Sequence, residues 1–152
     1  MPSRPLVLYP HPSLRQPASP VETFDAELEA FALDLRHTLE AVSAIGLTAP
    51  HIGVSKRIVA IRMTLDAPVR MLVNPMMAWA SSDLATFDEG SVSMPGIRET
   101  IERPARIRVA YRTLDGSPRE EDAEGFEATV IQHEIDQLDG IFWIDRLSRL
   151  KR

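Results

Sequence analysis

Phe24, Leu28, Phe31, Leu35, Leu39 and Val42 follow one another at steps of three and four. That spacing gathers apolar side chains on one face and predicts a helix over 24–43. Asp34, Arg36 and Glu40 fall on the other side, and Thr23 or Asp25 can cap the start. The helix must stop before Gly46 and Pro50. The period then shortens. Ile58 to Arg62 reads as a strand, Val69 to Val73 is a second apolar run closed by Asn74-Pro75, and Ile107 to Tyr111 alternates around Arg108 before the turn pair Asp115-Gly116. A second helix is predicted over 124–138, ended by Gly140, and Ile141 to Ile144 reads as a short strand. Helix, several short strands, helix: this order predicts an α+β fold with largely antiparallel sheets.

Composition narrows the picture. The chain has 152 residues, no repeat and no low-complexity linker, which suits a single domain over 1–152. Twelve prolines disfavour an all-helical bundle. The formal charge of −5 gives no general electrostatic reason to bind nucleic acid or an anionic membrane. Arg146, Arg149, Lys151 and Arg152 form a basic tail that reads as a solvated end. The absence of cysteine excludes disulfides, thiolate nucleophiles and thiolate metal ligands. Met1 to Arg15 carries four prolines and no long apolar run, so neither a signal peptide nor a membrane span is expected there, and the expected location is cytoplasmic.

Candidate chemistry lies in the second helix, which holds Gln132-His133-Glu134-Ile135-Asp136-Gln137. A His-Glu-x-x-His helix places two histidines on one face, with the glutamate beside the metal-bound water. Here the first histidine and the glutamate are present, but Gln137 holds the fifth position. Two further segments stand in order before it: Gly46-Leu47-Thr48-Ala49-Pro50-His51 and Glu89-Gly90-Ser91-Val92-Ser93. Together the three resemble the signature motifs of the peptide deformylase family, which usually read Gly-Leu-Ala-Ala-Pro-Gln, Glu-Gly-Cys-Leu-Ser and Gln-His-Glu-x-Asp-His-Leu. Tyr9-Pro10-His11-Pro12, Asn74-Pro75, Arg98, Arg103, Gly125-Phe126 and Asp139-Gly140-Ile141-Phe142 are similar to the family as well.

The resemblance implies a compact α+β fold, with antiparallel sheets packed around the motif-bearing helix. It implies hydrolysis of the formyl group from the N-terminal methionine of nascent chains, at a divalent metal, usually iron, with zinc or nickel as alternatives. By position, the metal ligands become Ser91, His133 and Gln137. Glu134 matches the general acid/base, and Leu47 the residue whose backbone amide binds the oxyanion. His51 replaces the glutamine that shares that task. Ile45, Gly46, Val92, Val130 and Arg98 match substrate-binding positions.

Three departures change the expected chemistry. A catalytic metal needs about three protein ligands. A serine hydroxyl and a glutamine amide are poor ones, so His133 alone remains strong and the family's iron binding is expected to be lost. A rebuilt zinc site from His51 and His133 with Glu134 or Glu89 is the alternative. Three functions stay open: a degenerate deformylase that binds formylated or methionine-starting peptides, an active enzyme with an altered metal site, and a structural or regulatory partner. Plainer roles are expected elsewhere: Ser91 filling a cysteine's volume, Glu89 anchoring its loop, Asp136 in a helix-surface contact, Met76, Met77 and Met94 in packing, and His11 and His37 facing solvent. Ser148 to Arg152 leaves little room for the C-terminal helix that some deformylases use at the ribosome.

Overall fold

The computed structural model describes residues 4–141. The strand expected from Ile141 onward and the basic tail therefore lie outside the described residues. Helix α1 spans Ala26–Val42, and the Asp25 carboxylate accepts from the Leu28 N–H at 3.0 Å. Asp25, not Thr23, is thus the cap. Leu28, Phe31, Leu35 and Leu39 are buried as their spacing requires, while Val42 lies exposed at the end of the stripe.

Among the described residues seven strands follow: β1 Gly46–Thr48, β2 Ile58–Ile61, β3 Arg70–Ala80, β4 Leu84–Ser91, β5 Met94–Pro104, β6 Arg106–Arg112 and β7 Pro118–Glu124. Helix α2, Gly125–Leu138, is the last element among the described residues. The strands form a five-stranded antiparallel sheet in the order β1-β2-β3-β6-β7 and a separate β4–β5 hairpin.

Strand β2 is buried on both faces, and its alternation decides what packs where. Val59 and Ile61 join Leu72, Ile107 and Val109 against Ala128, Ile131, Ile135 and Leu138 of α2. Ile58 and Ala60 join Val73 against the apolar stripe of α1. The sheet therefore lies between the two helices. The hairpin covers the remaining side of α2, through contacts from both β4 and β5.

One feature runs against the expected boundaries. Strand β3 does not end at Asn74-Pro75 but passes through it with a register shift between Val73 and Met76. Asn74 takes a left-handed backbone, φ 51°, which asparagine tolerates, and its amide exchanges two hydrogen bonds with the main chain of Val21. Pro75, which has no N–H to lend to the ladder, sits in that irregularity.

Helix α2 ends in a double hydrogen-bonded cap: the Gly140 N–H donates to the Gln137 carbonyl and the Ile141 N–H to the Asp136 carbonyl. Gly140 has φ +78°, and a Cβ there would stand 2.3 Å from the Arg15 carbonyl oxygen. Strain and overlap act together, so Gly140→Ala is expected to cost about 2–3 kcal/mol. Urea denaturation measures this, and an unchanged midpoint would rule it out.

Candidate active site

Helix α2 turns polar residues inward. Gln132, Glu134, Asp136 and Gln137 are all buried. Opposite them stand Glu89, near the end of β4, and Arg103, near the end of β5, both almost fully buried. Arg103 donates to both Glu89 oxygens, from Nε at 2.6 Å and Nη2 at 2.9 Å, and from Nη1 to Asp136 at 2.7 Å. Asp136, expected at the helix surface, is therefore part of a buried ion-pair network. Its place one turn beyond His133 was the available signal.

Glu89 also meets His133 Nδ1 at 2.9 Å. Burial alone would push the Glu89 carboxyl up, but hydrogen bonds from His133 and Arg103 outweigh it and hold Glu89 below the usual range. An ionised carboxylate only accepts, so His133 Nδ1 carries a proton. Burial pulls His133 down, and the Glu89 hydrogen bond together with the charges of Glu134 and Glu89 raises it overall. Glu134 is buried and its carboxyl is raised, first by that burial. Its Oε1 stands 3.8 Å from His133 Nε2. A Cβ on Gly46 would lie 2.6 Å from Glu134 Oε2, so the missing side chain at 46 makes room for that carboxylate.

His51 lies in a short 3-10 turn, Ala49–Ile52, that follows β1. It is fully buried. Its Nδ1 stands 3.0 Å from both the Thr48 N–H nitrogen and the Thr48 hydroxyl, whereas its Nε2 is buried with no hydrogen-bond partner. Burial first, and then the neighbouring His133, lower its pKa to about 3. The Gln137 side chain beside the ring acts in the opposite direction. A buried donor left unpaired costs about 1–3 kcal/mol.

A cleft of about 360 Å³ opens over these groups. Ile45, Gly46, His51, Ser91, Val92, Arg98, Val130, His133 and Glu134 all line it, so the motif residues meet in one place. Two expected site residues do not line it. Leu47 has its side chain in the core facing α1, which leaves only its main chain for a role at the cleft. Gln137 is buried, with Nε2 donating to the Leu14 carbonyl at 3.4 Å. Ser91 Oγ accepts from the Ser93 N–H at 3.1 Å. Among the described residues, no group of three or more His, Cys, Asp or Glu side chains is placed to hold a metal ion.

Val42, Ile97 and Phe126 also line the cleft, and all three are partly exposed. Only Phe126 had a sequence signal, as part of the Gly125-Phe126 pair. Its ring contacts Phe87 at 5.5 Å between centroids. His11 is exposed and accepts from the Ser13 N–H, but His37 is only half-exposed, with a buried and unpartnered Nδ1.

The family model described as polypeptide deformylase matches residues 3–152. The chain belongs to the peptide deformylase family. The solved peptide deformylase of Legionella pneumophila superposes with a TM-score of 0.93 at 36% identity, covering 99% of this chain and 89% of that one. Two relatives come from one strain, Brucella suis biovar 1 strain 1330. One, named peptide deformylase-like, is 50% identical over 97% of this chain and 90% of its own length. The other, named peptide deformylase, is 39% identical over 98% of this chain and 87% of its own length. The α+β architecture is that of the deformylase fold, with the motif helix between the sheet and the hairpin.

Proposed function

We propose that this chain is a deformylase relative that holds N-formylmethionyl chain ends while hydrolysing them weakly or not at all. The donor set carries this reading. Of the three positions that bind metal in the family, only His133 offers a strong ligand. The Ser91 hydroxyl is a poor donor to a divalent ion, and the Gln137 amide points its nitrogen at Leu14. These residues do not fit a catalytic metal, which needs about three good ligands and an open position for water.

The lining of the cleft supports binding of a formylated methionine. Ile45, Val92 and Val130 supply apolar walls, and Glu134 remains beside His133. In Brucella suis a deformylase-like chain accompanies one named deformylase, so a relative without hydrolysis need not leave its cell without the activity. No described helix is long and apolar enough to cross a membrane. A binder of nascent formylated chains works where they are made, in the cytoplasm.

The test is formate release from a formyl-methionyl peptide, after anaerobic purification and supply of iron, nickel or zinc in turn. No metal-dependent release is expected. Turnover that disappears in Glu134→Gln would overturn this reading in favour of a working, rebuilt site.

A further inference from the structure

The two faces of the five-stranded sheet are not equally covered. Ile107, Val109 and Ala123 turn toward α2, so their neighbours on β6 and β7 turn the other way. Helix α1 covers that second face at Ile58, Ala60 and Val73. Over β6 and β7 the face stays open among the described residues, with Arg106, Arg108, Glu120, Asp122 and Glu124 all exposed. On β3, beside Arg108 and Ala110, Trp79 and Met76 are 48% and 61% exposed.

The open face carries two parallel stripes of opposite charge. The register sets Arg106 of β6 against Glu124 of β7 and Arg108 against Asp122, and Glu120 continues the acidic stripe beside Ala110. The Arg108–Asp122 pair, 2.8 Å apart and in water, contributes little to the stability of one chain. Arg108 commits only Nε to Asp122, so its terminal nitrogens can take a second carboxylate.

These stripes complement themselves. A two-fold axis parallel to the strands, passing between β6 and β7, lays each basic stripe over the acidic stripe of a second copy. It also keeps the strand directions aligned, as in packed sheets. An axis across the strands would set arginine on arginine. Pairing β7 edge to edge with its own copy would set Glu120, Glu121, Asp122 and Glu124 among one another, and like charges oppose that.

We propose that this face is where two copies of the chain meet, with Arg106 and Arg108 of each against Glu124 and Asp122 of the other, and Trp79 and Met76 along the partner's β7 edge. None of the residues lining the cleft lies on this face, so the interface is independent of what the cleft binds.

Sedimentation equilibrium of the whole chain, at concentrations on the order of 1 μM to 1 mM, is the test. The parent is expected to move from the mass of one chain to that of two across this range, and back in high salt. Arg108→Glu alone and Asp122→Arg alone each set like charges across the interface and should weaken association by about tenfold or more. An equal mixture of the two variants should recover it, because each introduced charge then faces its opposite. Mixing cannot repair an ion pair within one chain, so recovery separates an interface from a local effect. Arg106→Glu and Glu124→Arg form a second such pair, should a variant of the first not fold. A parent of single-chain mass throughout, dimers that persist in both single variants, or a mixture that does not recover would each overturn the proposal.

Discussion

Replacing Ser91 by Cys and Gln137 by His in one chain is expected to give a protein that binds a divalent metal and releases formate from a formyl-methionyl peptide. The remaining ligand is already prepared. Glu89 holds the Nδ1 proton of His133, so Nε2, on the side where Glu134 stands, is the nitrogen that a metal would take once it displaces a proton there. Outer partners of this kind commonly set the affinity of a metal site by 10–100-fold, and here the carboxylate partner is itself held by Arg103. A histidine at 137 would lie four residues beyond His133, on the same helical face. A thiolate at 91 adds the negative, soft donor that the serine lacks, and the Ser93 N–H that now meets Ser91 Oγ can meet sulfur instead. Each single replacement supplies only two strong ligands and should hold metal far less well. Metal content by elemental analysis and formate release are the two readouts. Adding Glu134→Gln to the double variant should cut release about a hundredfold, the usual scale for losing a general acid/base. A folded double variant that takes up no metal would show that more than the ligands has changed.

The fold was legible wherever burial imposed a period. The stripe of α1 and the run of β2 could be read because each buries side chains against a fixed neighbour. Strand β7 could not: it reads Pro-Arg-Glu-Glu-Asp-Ala-Glu, buries only Ala123, and is held by its ladder to β6 at the sheet edge. Charged edge strands carry no hydrophobic signal, because their task is to avoid further pairing. The β4–β5 hairpin hid for a related reason, since most of β5 faces solvent. At the site, motif resemblance alone brings His133, Glu134, Ser91 and His51 together. The partners of Asp136 and the orphaned Nε2 of His51 were beyond it. Both depend on which side chains meet across elements distant in the chain; spacing along one helix sets Asp136 on the His133 side but does not name its partner.

The buried network that orients His133 also supports the fold, so Arg103→Met is expected to destabilise the protein by about 3–5 kcal/mol. The methionine fills similar space but leaves Glu89 and Asp136 buried without their shared cation. Loss of one partner from a buried ion pair is costly because the other charge stays out of water. Arg103→Lys should recover only part of the loss, since an ammonium cannot repeat the paired contacts to Glu89 together with the third contact to Asp136. Acid should reproduce the effect in the parent chain. Glu89 titrates below its unfolded value when folded, so its contribution is complete above about pH 4.3 and fades as the pH falls through the folded value. Arg103→Met should flatten that acid limb in part, because the carboxylate has lost one of the two partners, His133 and Arg103, that depress it. Urea denaturation across pH 3–7 decides it: a methionine variant within about 1 kcal/mol of the parent at neutral pH would show that the network adds orientation without stability.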